Sequence, residues 1–431
     1  MALSNLHLQL NDVTMIRLIL ASFFALTITN NLQAQTSLSL EQCEALFQKN
    51  NLLLIAEQYN IDRAAAAVIQ AKIWDQPVIS GEFNAINPQD KKYFAAGANG
   101  QKALAIQQLI YLGGKKKNEV AFAKSNVAIA SLQFEQLLKS LRYQIRQNFY
   151  SIYFDGLKIQ TLGAQLANLD TLTEAYAVQA QKGNVPLKDV VRLQSLSLNL
   201  KNELTEAQKN IFAGQENLKI LTNTAADINP LATEKELTDF YNKPINANIN
   251  ELQQKALATN PEYLTTQKTT ASNELLLRWQ QSLAVPDVTL GANYDQRGGA
   301  FNNQVNLTLS IPLPFWNRNK GNINSAEKQI AQSKTLEQQK ALELSAAINT
   351  AYSSLLYQQK QYLQISNSTA QNLETVYNGV LQNFQKRNIT LIEFTDFMES
   401  FNQSTLLLNE MKKQLLIAGE TLNYLVNEKI F

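Results

Sequence analysis

The sequence predicts a mainly α-helical chain that also contributes strands to a membrane β-barrel. One unit of helix, strand, strand and long helical hairpin is used twice. Three observations predict this. Residues 287–313 alternate apolar and polar side chains. None of the nine prolines interrupts 115–182 or 324–386. Landmarks of the first half recur about 204 to 210 residues later, in the same order.

The chain opens with an N-terminal extension and secretory signal over 1–34. Met15 to Gln35 has the pattern: Arg17 gives a basic start, Leu18 to Ile28 an apolar stretch too short for a bilayer span, and Ala34 a cleavage point. Met15 is the expected start. An anchor helix or a buried N-terminal helix is the competing reading. Removal takes away His7, the only histidine, and leaves the net charge at +2. Cys43 is the only cysteine, so no disulfide forms within one chain. It sits in the helical pattern LEQCEAL and reads as a buried structural thiol, with lipid attachment as the alternative.

The first repeat covers 38–222: helix over 38–73, strands near 78–86 and 102–111, and a helical hairpin over 115–222. Residues 223–248 connect the repeats and read as a small collar of irregular structure. The second repeat covers 249–429: helix over 249–281, strands near 287–295 and 303–313, and a hairpin over 324–429. LEQCEALFQKNN (40–51) corresponds to NELQQKALATNP (250–261), Pro77 to Pro286, and QKGNV (181–185) to QKRNI (385–389). A period near 200 residues is a duplicated architectural unit rather than a solenoid repeat.

The strands carry the membrane reading. Val288, Leu290, Ala292 and Tyr294 alternate with Thr289, Gly291 and Asn293. Val305, Leu307, Leu309, Ile311 and Leu313 alternate with Asn306, Thr308 and Ser310, and Pro312 and Pro314 close that run. Nine to eleven residues with one apolar face suit a tilted spanning strand. A half-buried hairpin in a soluble domain has the same alternation. The mature chain has no apolar run long enough for a membrane helix, so strands are its only route into a bilayer. Four strands cannot enclose a barrel, so several chains must share one. Trp74, Tyr111, Trp279, Phe315 and Trp316 flank the strands at one end, where aromatic rings favour a membrane interface or pack in a collar. Gly113-Gly114 marks the break between strand and helix.

The proline-free helices reach roughly 100 Å each at 1.5 Å per residue. Each ends at a short turn, GNVPLKD or RNITLIE, and an antiparallel helix returns. Leu391, Phe394, Met398, Phe401 and Leu408 form an a/d seam on the second return, with Thr405 a weaker member. Asp189 follows the first turn, and Glu393 and Asp396 the second. Acids here cap helix N-termini, or form a ring of carboxylates at a constriction that favours cations.

Charged residues are 17% of the chain, low for a soluble coiled coil. The near-neutral balance gives no reason to expect nucleic-acid binding. No histidine in the mature chain, no cysteine pair, no phosphate loop and no nucleophile elbow excludes the familiar enzyme signatures, and no carboxylate pair stands out.

With these features in place, residues 38–429 resemble the TolC-like outer-membrane efflux factors. LSIPLPFWNRNKGNI (309–323) is the most specific part and is similar to the matching stretch of the heavy-metal (CzcC/CusC-like) branch. The resemblance implies a homotrimer in which each chain gives four strands to a twelve-stranded barrel and its helices to a long periplasmic tunnel. It implies no cofactor. It implies a periplasmic adaptor and an inner-membrane pump, of the resistance-nodulation-division type, as partners, and outer-membrane lipid around the barrel. Adaptor contacts map to Gly183, Asn184, Val185 and Leu187 in the first tip and to Arg387, Asn388, Ile389 and Thr390 in the second. Entrance acids map to Asp189, Glu393 and Asp396. Gly113, Gly114, Pro312 and Pro314 mark the barrel-to-tunnel junctions. Arg387 stands where glycine is usual, Pro186 sits in the first tip, and no lipidated N-terminal cysteine is evident. The expected function is a passive exit duct for heavy-metal cations. A drug-efflux or type I secretion duct of the same fold, and a soluble periplasmic hairpin adaptor, are the alternatives.

Overall fold

The computed structural model describes residues 36–87, 91–98, 100–298 and 300–430, and no side chain of 234 or 366–374. The signal-peptide reading lies outside these residues.

The order is β1 (Thr36–Leu38), α1 (Leu40–Asn50), α2 (Leu52–Lys72), β2 (Val78–Phe83), β3 (Ile86–Asn87), β4 (Lys92–Tyr93), β5 (Gln101–Ile110), α3 (Lys115–Gln181), α4 (Leu187–Thr222), β6 (Ile228–Pro230), α5 (Glu234–Asn242), α6 (Ile249–Thr259), α7 (Pro261–Leu283), β7 (Val288–Arg297), β8 (Phe301–Ser310), α8 (Lys320–Gln385) and α9 (Leu391–Val426).

Each leading helix is two helices, not one. Asn51 and Asn260 take extended backbone and end α1 and α6. Asn260 also caps α7 by accepting from the Glu262 and Tyr263 amides, and Pro261 fits the first helical position, where no N–H is needed. The two asparagines repeat a further role. The Asn51 amide donates to the Leu221 carbonyl at 2.7 Å, and the Asn260 amide to the Leu425 carbonyl at 2.9 Å. Just beyond those carbonyls, Asn223 and Asn427 both take positive φ, 49° and 59°. The duplication is thus visible in single hydrogen bonds.

The connector is more ordered than the collar expected. β6 pairs in parallel with β1, and Thr233 and Glu236 exchange hydrogen bonds at the start of α5.

Two compact units divide the chain. One contains Met1–Asn51 (described from Thr36), Gln144–Asn242 and Gln361–Ile417; the other contains Leu52–Tyr143, Lys243–Lys360 and Ala418–Phe431. In the first, Cys43 and Phe47 on α1 are fully buried. Burial, with Glu44 and Glu41 nearby, pushes the Cys43 thiol up to about 11. That is the environment of an inert packing residue.

The second unit holds a four-stranded antiparallel sheet in the order β2-β5-β7-β8. The β5–β7 pairing joins the two repeats. Opposed residues share a face, so the register lines up Ile79 with Ile106, Ala292 and Leu307. Beside that row lies Leu104, Tyr294 and Val305, and on the other side Leu290 and Leu309. The opposite face carries Ser80, Asn293 and Asn306, then Glu82, Asp295 and Gln304. Gly291 is required on that polar face, because a Cβ there would meet Thr308 Oγ1 at 2.6 Å and the Ile106 carbonyl at 2.9 Å. The β8 ladder stops at Ser310, so Pro312 and Pro314 follow the strand in an extended link instead of ending it from within.

Candidate functional site

The two hairpin tips are built alike. In the first, the Gly183 amide donates to the Ala180 carbonyl and the Asn184 amide to the Gln179 carbonyl. In the second, Arg387 donates to Phe384 and Asn388 to Asn383. Gly183 has φ 76° and Arg387 φ 62°. This is a left-handed helix cap, and the arginine adopts it in spite of its Cβ. Asn184 and Asn388 also repeat one side-chain bond, to Gln179 and Asn383 at 2.7 and 3.1 Å. Val185 and Ile389 are both half-buried.

The returning helices start differently. Thr390 accepts from the Glu393 amide while Glu393 accepts from the Thr390 amide and hydroxyl, a complete capping box. These bonds hold the Glu393 carboxyl below the usual range, the Thr390 amide contributing most. Pro186 occupies the matching place in the first tip and has no side-chain cap bond, so Asp189 has no box to join. A capping role is therefore visible for Glu393. Asp189 is half-buried, and Asp396 is exposed on the same helix as Glu393.

Both tips stand on one core in the first unit: Leu162, Leu169, Leu193, Leu196, Leu200, Phe384, Leu391, Phe394 and Met398. Phe384 stacks on Phe394 with centroids 4.2 Å apart, so the second hairpin is closed by an aromatic pair. Tyr176 meets both tips. Burial pushes its phenol up, the Asp189 charge adds to that, and Arg387 opposes it. Tyr176 and Phe384 carry no sequence signal of their own, since nothing in a helical periodicity separates them from other seam residues. Leu187 is 70% exposed while its counterpart Leu391 is 8% exposed.

The junctions lie in the second unit. At the first, Gly113 and Gly114 take φ 69° and 75°. A Cβ on Gly113 would meet Val285 at 2.8 Å, so the glycine allows strand end and α7 to meet. Asp287 then binds twice, accepting from the Leu112 amide at 3.0 Å and pairing with Lys115 at 2.6 Å. At the second junction Asn319, with φ 55°, donates to the Gln280 carbonyl at 2.7 Å. Asp287 and Asn319 are further residues absent from the expectations; their partners are far away in sequence.

The flanking aromatics divide. Trp74 is half exposed and lies against Tyr111 at 5.7 Å. Phe315 and Trp316 are exposed and in edge contact at 5.9 Å. Trp279 is half-buried and stacks on Phe122, a packing role that needs no membrane.

One face of the sheet is apolar and exposed. Leu307 is 87% exposed, and Val305, Leu309, Ile79 and Phe83 are exposed with it. Each such side chain forgoes about 1.5–3 kcal/mol by facing water. A handful together match the whole stability of an ordinary domain, so the face requires an apolar surrounding. Among the described residues no helix is long and apolar enough to cross a membrane.

Residues 252–428 match the outer membrane efflux protein family. The chain is 24% identical over 362 residues to the cobalt-zinc-cadmium resistance protein CzcC of Cupriavidus metallidurans, covering 83% of this chain and 80% of that one. It is 26% identical over 219 residues to the outer membrane protein TolC of Escherichia coli, covering 47% of this chain and 43% of TolC. Its fold is similar to that of CusC, with a TM-score of 0.72 and 14% identity over 90% of this chain and 92% of that one. The fold is that of solved outer-membrane channels.

Proposed function

We propose that this chain, which carries an outer membrane efflux protein domain at residues 252–428, is the passive outer-membrane exit duct of a tripartite efflux system whose cargo is heavy-metal cations. The observation that carries the duct is the four-stranded sheet with one exposed apolar face, one polar face and two outer strands, β2 and β8, at its edges. Only closure into a barrel satisfies such edges in hydrocarbon. The polar face, with Glu82, Asn293, Asp295 and Gln304, then lines the lumen.

Closure needs further copies of the chain, and α2 supports this. Leu52, Ile55, Tyr59, Ala66, Ile69 and the following Ile73 are all exposed, and they fall on one heptad seam with Asp62 in the fourth place. A seam of that length calls for a helix from another protomer. A homotrimer, as in the TolC-like factors that the sequence resembles, supplies twelve strands. The hairpin tips, through Gly183–Leu187 and Arg387–Thr390, meet a periplasmic adaptor. An inner-membrane pump of the resistance-nodulation-division type supplies the energy. Opening parts the tips at the core around Phe384 and Phe394.

The cargo rests on two supports: the identity with a cobalt-zinc-cadmium resistance protein and the wording of residues 309–323. Deleting the gene in its native host tests it. Cellular cobalt, zinc or cadmium should rise several-fold and return to normal when the gene is restored. Unchanged metal content together with retention of an organic dye would make this a drug-efflux duct.

A further inference from the structure

The two strand-to-helix junctions of the second unit differ in charge. At the first, Lys115 pairs with Asp287 at 2.6 Å, and Lys116 pairs with Glu119 at 2.9 Å while lying 5.3 Å from the centroid of the Tyr111 ring. At the second, Arg318 and Lys320 are exposed, and neither has a carboxylate partner among the described residues. Arg318 donates Nε to the Pro314 carbonyl at 3.2 Å, which fixes its guanidinium beside Phe315 and Trp316. These residues, with Asn317 and Gly321, line an open cavity of about 300 Å³. Trp316, 95% exposed, stands at its rim, and Leu313, Ile311 and Leu309 continue the apolar face away from it.

We infer that this cavity binds the phosphate headgroup of an anionic glycerophospholipid, with Arg318 and Lys320 on the phosphate. The inference rests on the membrane reading above and deepens it. The arrangement matches one lipid molecule end to end: cations at the headgroup, indole and phenyl rings at the glycerol level, and leucine and isoleucine along the acyl chain. Guanidinium and ammonium groups beside each other favour a net negative headgroup over a zwitterionic one, whose own amine would be repelled. At the first junction Lys115 and Lys116 are both neutralised, which leaves Lys117 as a single exposed cation there, against the Arg318 and Lys320 pair that lines the cavity at the second. One bound lipid per protomer follows.

Native mass spectrometry of the detergent-purified assembly tests this, with added phosphatidylglycerol, phosphatidylcholine or inorganic phosphate, for the wild type and R318Q/K320Q. Expected are one retained phosphatidylglycerol per protomer, retention at least tenfold weaker in the variant, weak phosphatidylcholine binding, and no displacement by millimolar phosphate. Equal retention by wild type and variant would overturn the site, as would equal retention of the two lipids. Displacement by inorganic phosphate would make it a free-anion site and overturn the lipid assignment. A conservative R318K/K320R variant should keep the lipid; its loss there, with the assembly intact, would count against charge recognition. Carbonate extraction of native membranes reports separately on the membrane reading. A chain released by carbonate would sink that reading, whereas a chain retained in the membrane without headgroup selectivity would sink only this site.

Discussion

At the residue scale, Arg387 and Gly183 solve one geometric problem with different side chains. Both hold a left-handed cap, yet only glycine does so without strain, at about 1 kcal/mol for a side chain of the L form. Nothing lies within 4 Å of a Cβ placed on Gly183, so its conformation alone sets the cost of replacing it. Gly183→Ala should loosen the first tip and Arg387→Gly should tighten the second. Hydrogen exchange of the amides of Asn184 and Asn388, which close the two caps, should move about fivefold in opposite directions; movement in the same direction would contradict the shared geometry. Glu393 poses a different question, because capping and charge coincide in it. Glu393→Gln keeps a capping box and removes the charge, while Glu393→Ala removes both. The capping bonds lower the folded carboxyl pKa, so their stabilisation is present above the ordinary carboxylate value and is lost as pH falls through the folded one. Glu393→Ala should abolish that acid-side loss. If Glu393→Gln alone reduces cation selectivity in single-channel records with stability unchanged, the carboxylate acts on ions; if selectivity holds, Glu393 is a cap only.

At the element scale, what the sequence made legible follows period and punctuation. The strands over 288–297 and 301–310 show in the alternation because apolar side chains occupy one face of the sheet and polar ones the other. The 67- and 66-residue helices show in the absence of proline. The breaks at Asn51 and Asn260 are marked by residues that end helices, but a continuing apolar pattern on both sides hides them. β1 and β6, three residues each, pair in parallel across a long separation, and no local pattern announces such a partner. The site divides in the same way. Gly183, Asn184 and Glu393 are legible as turn and cap residues, whereas Asp287, Tyr176 and Phe384 matter through contacts that only the fold creates. The seam on α2 leads to a prediction at this scale. Ile55→Asp with Ile69→Asp places two charges on an apolar interface, at a cost of several kcal/mol per interface. The doubly substituted chain should run as a monomer in detergent by light scattering, with its helix content retained. An unchanged oligomer would remove α2 from the interface.

At the scale of the whole molecule, the parts agree on one purpose. On the proposed reading the apolar sheet face meets lipid, the open sheet edges meet other copies, the polar face meets water, and the paired helical tips form a closable end. Together they fit the conduit proposed above. Planar-bilayer recording on the purified oligomer tests this most directly. Discrete, long-lived, cation-selective conductance steps are expected. Phe384→Ala with Phe394→Ala, by emptying the core behind the second tip, should raise the step size. A folded, membrane-inserted oligomer that gives no steps, with or without those substitutions, would contradict the conduit.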